Sequence, residues 1–216
     1  MRMIRALLPA AFGLAAITSM PAMADTSTST ASSATIGGAN VTSSAVALVE
    51  AAATLAPGKY LWENDVDAGP VSILISIPDQ KAYVYRGDAL VAVSTVSTGK
   101  EGKETPVGVF TILQKKEMHR SNLYDNAPMP FMQRLTWDGI AIHAGKNPGF
   151  PASHGCIRVP ASFAKKLFAA TEMGATVEVT DISYSGDMPA PRSDAQMTIA
   201  ANEAAIGGGA KEIASR

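Results

Sequence analysis

Two of the chain's three histidines, His143 and His154, and its single cysteine, Cys156, fall in one short stretch. It reads Ile140-Ala141-Ile142-His143-Ala144-Gly145, then Lys146 to Ala152, then Ser153-His154-Gly155-Cys156-Ile157-Arg158. These residue types suit nucleophilic catalysis by a thiolate. A free thiol ionises near pH ~8.5 and is only partly thiolate at neutral pH. An imidazole beside it takes the proton and activates the sulfur. That imidazole needs its second nitrogen held by an acceptor, which selects the tautomer. The glycines and prolines between His143 and Cys156 let the connection fold back and bring the two together. Gly155 permits close approach of a substrate, and N–H groups beside the nucleophile suit an oxyanion.

Other readings of the same residues are weaker. A lone buried cysteine is commonly inert, but an apolar site has no need of Ser-His-Gly beside it. A zinc site from His143, His154 and Cys156 lacks a fourth ligand and a familiar ligand spacing. Papain-type and caspase-type runs around the cysteine are absent. His119, the third histidine, lies in a polar stretch and is expected to be a solvated residue rather than a catalyst.

The elements that must position these groups are mostly strands. Val71 to Ile77 is β-branched, Pro78-Asp79-Gln80 interrupts it, and Lys81 to Arg86 alternates, which predicts a β-hairpin. Ala89 to Ser97 reads as another strand, closed by Thr98-Gly99. Val107 to Leu113, Gly139 to Ile142 and Ala175 to Thr180 are further strands. Pro160 to Thr171 is the well-marked helix, with Phe163, Leu167 and Phe168 on one face and Gly174 ending it. Met118 to Pro130 has no period and is expected to be a long surface loop and a lid over the thiol.

Composition bounds the rest. The 216 residues are 47% apolar and 17% charged, which excludes global disorder. A net charge of −1 argues against a nucleic-acid binder, and one cysteine excludes a disulfide framework. Arg2 and Arg5, the apolar run Ala6 to Ile17 and Ala22-Met23-Ala24 predict a secretory signal peptide over 1–24. Its loss removes two arginines and leaves a net charge of −3. The run is short of the ~20 residues a membrane span needs. The expected organisation is therefore a signal peptide (1–24), a flexible linker with a short helix near Ala45 to Leu55 (25–58), a folded domain (59–181) and a loosely attached tail (182–216).

Ser153-His154-Gly155-Cys156-Ile157-Arg158, preceded by His143-Ala144-Gly145, resembles the signature of the L,D-transpeptidase catalytic domain, the YkuD-like family. Ser97-Thr98-Gly99 and Thr105-Pro106-Val107-Gly108-Val109-Phe110 resemble that family's second recurrent block. The resemblance covers about residues 70–181. The His143-to-Cys156 interval is somewhat shorter than in many members, and arginine stands at 158 where others carry asparagine. The resemblance implies a mainly β fold, a β-sandwich of mixed sheets with one helix after the catalytic motif. It implies a secreted, periplasmic and wall-associated enzyme of peptidoglycan biosynthesis. Cys156 would attack the L-centre carbonyl of a diamino acid in a tetrapeptide stem and form a thioester. An amine acceptor, on a second stem or a wall-attached protein, would resolve it. By that match His143 is the base, the Ala144 backbone carbonyl orients it, and the Gly155 and Cys156 N–H groups bind the oxyanion. Ser153, His154 and Arg158 would contact substrate. No cofactor, metal, nucleic acid or lasting membrane insertion is implied. An L,D-carboxypeptidase or amidase would share the acyl-enzyme and differ only in using water. A non-catalytic wall-binding module would have no use for the Cys–His pair.

Overall fold

The computed structural model describes residues 43–63, 69–122, 126–186 and 188–192. The expected signal peptide, most of the linker and the chain beyond Arg192 lie outside the described residues. The chain divides into two units, 1–34 and 35–216, and everything described belongs to the second.

Among the described residues the architecture is mainly β, with two sheets and two helices. Helix α1 (Ser43–Ala53) precedes strands β1 (Tyr60–Trp62), β2 (Val71–Ser76), β3 (Lys81–Arg86) and β4 (Ala89–Thr95). Then come β5 (Gly108–Thr111), β6 (Gln114–Lys116), β7 (Met132–Arg134), β8 (Ala141–Ala144) and β9 (Ile157–Val159). Helix α2 (Ala161–Ala170) and β10 (Thr176–Thr180) complete it. One sheet runs β1-β4-β3-β2-β10-β5 and the other β6-β7-β8-β9. Both are mixed, because β10 lies parallel to β2 and β9 parallel to β8.

The main core lies between the sheets and α2. Ile73 and Ile75 from β2, Ile142 from β8, Ile157 and Val159 from β9, and Phe163 and Leu167 from α2 share one cluster. On the other face of the large sheet, Leu74, Tyr83 and Val93 meet Leu48 and Ala52 of α1. With both faces covered, β2 is buried at every position. That is why its sequence is a continuous apolar run rather than an alternation. Helix α2 is tied down at its end by Lys115, whose Nζ donates to Phe168 O and Thr171 O at 2.7 and 2.6 Å. A cation on the last helical carbonyls complements their partial charge.

The hairpin, the helix after the motif and the strand after it stand where the patterns put them. Four strands carried no signal: β1, β6, β7 and β9 have three residues each. Three residues are too few to show a period. The strand expected from Gly139 begins at Ala141, because Gly139 turns with φ of 110°.

The tail needs correction as far as Arg192. Tyr184 stacks on Tyr83 with ring centroids 3.9 Å apart, and its N–H donates to Asp79 Oδ2 at 2.7 Å. Tyr85 Oη donates to Met188 O at 3.2 Å, Ala190 is buried, and Arg192 pairs with Asp88 at 2.8 Å. Among the described residues no helix is long and apolar enough to cross a membrane.

Candidate active site

The site is built on the parallel pair β8–β9, where Ile142 faces Ile157, His143 faces Arg158 and Ala144 faces Val159. Side chains alternate across a sheet. Ile142, Ala144, Ile157 and Val159 therefore enter the core, and Ala141, His143, Arg158 and Cys156 share the opposite face. Continuing the register by one residue sets Cys156 beside Ala141, diagonal to His143.

A hydrogen-bonded strap holds the turn before Cys156. Ser97 and Arg158 exchange both backbone bonds, at 2.9 and 3.0 Å. Ala152 N–H and Ser153 N–H both donate to Thr98 O at 3.0 Å, and Lys100 N–H donates to Ser153 O at 3.1 Å. Thr105, buried, donates its hydroxyl to Gly155 O at 2.8 Å and accepts the Gly99 N–H at 2.9 Å. Gln80 clamps Thr98 from beneath, accepting its N–H at 3.1 Å and donating to its hydroxyl at 2.7 Å. Gly99 has no room for a side chain: a Cβ there would collide with Lys103 O. Gly155 has φ of +113°, a conformation that other residues rarely adopt.

His143 is buried, and its Nδ1 lies 2.9 Å from Ala144 O. A carbonyl there requires the proton on Nδ1, which leaves Nε2 as the acceptor. Burial holds the His143 pKa below its ordinary value; the Ala144 carbonyl opposes this, and the charges of Arg158 and His119 add to it. Cys156 Sγ donates to Gly139 O at 3.4 Å, so the resting thiol points to that carbonyl. Burial raises the Cys156 pKa, against smaller downward pulls from the Ala141 N–H and from Arg158 and Arg134. The resting pair is thus a neutral thiol and a neutral imidazole. Chemistry starting from it requires proton transfer to Nε2 at the moment of attack, as in general-base activation.

The other expected site residues divide. Ser153 is buried, donates to Cys156 O at 2.5 Å and accepts the Gly155 N–H at 3.0 Å. Its hydroxyl closes the turn rather than facing a substrate. The Gly155 N–H, expected to face an oxyanion, is engaged by that hydroxyl for the same reason. His154 is exposed. Arg158 is half-buried, and its stem lies 3.1 Å from where a side chain on Gly145 would begin. Among the described residues, no three His, Cys, Asp or Glu side chains are grouped to hold a metal ion.

A cavity of about 290 Å³ is lined by Gly139 and Ala141, the two residues whose backbone groups contact Cys156 Sγ. His119, Met129, Arg134 and Trp137 form its other walls. His119 is therefore a wall residue and not simply solvated: burial, then Arg134 and Lys116, lower its pKa. The expected lid is a hairpin-like arm. Arg120 bridges Pro128, and Met129 N–H donates to His119 O at 2.9 Å. Residues 123–125 lie outside the described residues. Arg134 carried no sequence signal, since β7 meets Cys156 only across β8, and neither did Trp137 in the turn between β7 and β8.

Residues 70–179, half of the chain, match the family model of the L,D-transpeptidase catalytic domain, YkuD. The chain belongs to the L,D-transpeptidase catalytic domain family. The match runs from the residue before β2 into β10, so the strap, the Cys156 turn and the cavity fall within it, while α1 and the 184–192 segment flank it. Solved L,D-transpeptidases share the fold. One from Stackebrandtia nassauensis is 23% identical with a TM-score of 0.50, covering 64% of this chain and 66% of that one. One from Mycobacterium smegmatis is 22% identical with a TM-score of 0.48, covering 51% of this chain and 58% of that one. This chain thus spans less than two thirds of their length. No curated protein matches it.

Proposed function

We propose that this L,D-transpeptidase domain transfers peptidoglycan tetrapeptide stems through a thioester on Cys156. The observation that carries the reading is the shared face of β8–β9, where Cys156 stands diagonal to a His143 whose Nδ1 is held by Ala144 O. Nε2 of His143 takes the thiol proton as Sγ attacks the L-centre carbonyl of the stem's diamino acid. The S–C bond forms, the C–N bond to the terminal D-residue breaks, and His143 returns the proton to the leaving amine. An acceptor amine, on a second stem or a wall-attached protein, then displaces the thiolate and gives the new amide. With the Gly155 N–H engaged by Ser153, the Cys156 N–H is the backbone donor for the oxyanion. Arg158 and His154 meet substrate at the rim. Residues 1–24 direct secretion to the periplasm, where the enzyme works on the wall.

Purified protein with tetrapeptide stems and a diamino acid acceptor, followed by mass spectrometry, tests this. The expected result is a cross-linked product plus the free D-amino acid, and none of either from Cys156→Ala. A mutant that still turns over ends the thioester mechanism. Release of tripeptide alone, with acceptor in excess, replaces transfer by hydrolysis.

A further inference from the structure

We propose that Arg134 is the carboxylate-binding group of the cavity, clamping the free α-carboxylate of the D-residue that leaves when Cys156 is acylated. This rests on the acyl-transfer reading above and adds what selects the donor. Arg134 faces Gln114 on one side and Ala141 on the other. Continuing the β8–β9 register sets Cys156 next in that row. Arg134 and Cys156 thus flank the small Ala141 on one face, two strand spacings or about 10 Å apart at the backbone. Arg134 and Ala141 of that row line the cavity, and Gly139, whose carbonyl accepts from Cys156 Sγ, lines it too. A carboxylate carbon sits up to about 3.8 Å beyond the scissile carbonyl carbon, across three backbone bonds. That offset, with the reach of both side chains, spans the gap.

Arg134 is also held as a receptor would be. Its Nε donates to Gln114 Oε1 at 3.1 Å, and its guanidinium lies 5.8 Å from the Trp137 ring centroid. These contacts orient the planar fork and use only its Nε as a donor, and Arg134 lines the cavity. Among the described residues no carboxylate forms an ion pair with Arg134. Asp138 lines the cavity too but is exposed at its rim. Lys116 and His119 are the other basic neighbours, and the Arg134 charge is felt at both His119 and Cys156. A half-buried, oriented, unpaired guanidinium beside a nucleophile suits an anionic part of the substrate.

The test compares a tetrapeptide donor ending in a free carboxylate with the same donor ending in a carboxamide. Acyl-enzyme formation is read by intact mass, and D-residue release by kinetics. The wild type is expected to prefer the free acid by ~10- to 100-fold in kcat/KM, the worth of a charge-assisted pair. Arg134→Gln should bring the preference to within about twofold, mainly through KM. Arg134→Lys keeps the charge without the fork and should retain a reduced preference, which separates recognition from misfolding. Alkylation by neutral iodoacetamide should still label Cys156 in both variants. Equal acylation of acid and amide by the wild type, or a preference that survives in Arg134→Gln, overturns the clamp and leaves the thioester reading standing. No acylation of the wild type by either donor overturns both.

Discussion

Thr105 is where the strap can be cut most cleanly. Its hydroxyl joins Gly99 N–H to Gly155 O, at 2.9 and 2.8 Å, and the residue is 3% exposed. Thr105→Val keeps the shape and removes both bonds. It leaves a buried donor and a buried acceptor unmatched, each costing about 1–3 kcal/mol. Some relaxation of the 153–156 turn offsets part of this, so the expected loss is about 2–4 kcal/mol. For a domain of this size 1 kcal/mol moves the melting midpoint by about 4 °C, so Tm should fall by about 8–16 °C. Thr105→Ser keeps the hydroxyl, loses one methyl and should cost about 1 kcal/mol or less. The assay pairs a circular-dichroism melt with the rate of acyl-enzyme formation, measured well below both midpoints. Acylation should fall at least ~10-fold in Thr105→Val, because Gly155 O is anchored next to Cys156, and should survive in Thr105→Ser. A valine variant melting within 2 °C of wild type would refute the reasoning, as would a serine variant that behaves like valine. A lower Tm with unchanged acylation would restrict the strap to stability.

Alkylation of Cys156 by iodoacetamide should rise with pH, with a midpoint above that of an ordinary thiol, because burial favours the neutral form; a midpoint below that of a free thiol would contradict the burial seen here. The linked stability runs the same way: the folded state keeps a proton that the unfolded chain releases, so stability falls as pH rises past about 9. Phe163→Ala should cost about 3–5 kcal/mol in urea titration, since Phe163 is fully buried against Tyr60 and Trp62 with ring centroids 5.5 and 5.6 Å away; a loss under 1 kcal/mol would mean that β1 does not close the core.

Local chemistry made much of this protein legible from its residues in order. The run Val71 to Ile77 and the breaker Pro78-Asp79-Gln80 specify a hairpin because β-branching and turn propensity act over a few residues. The face Phe163, Leu167 and Phe168 specifies a helix for the same reason. The Cys156 motif is contiguous, so its family was readable before any fold was known. The short strands were not readable, because a three-residue strand such as β7 is defined by its partners and not by its own pattern. The Met118 to Pro130 loop could be read as irregular, but not that its base closes on His119 or that His119 walls the cavity.

What the sequence alone determined is therefore the family motif that holds Cys156 and His143, the mainly β fold and the helix that follows the motif, all carried by neighbours along the chain. Tertiary structure decided who meets whom across it. Only strand pairing brings Arg134 into the row of Ala141 and Cys156, and only the strap brings Thr105 to Gly155. Packing also determines protonation: burial lowers the His143 pKa and raises that of Cys156, so the pair rests uncharged. Ser153 shows the same limit, since its place in the motif suggests substrate contact while its hydroxyl is engaged within the turn. Hydrogen bonds and desolvation depend on distance in space, and no reading along the chain supplies that distance.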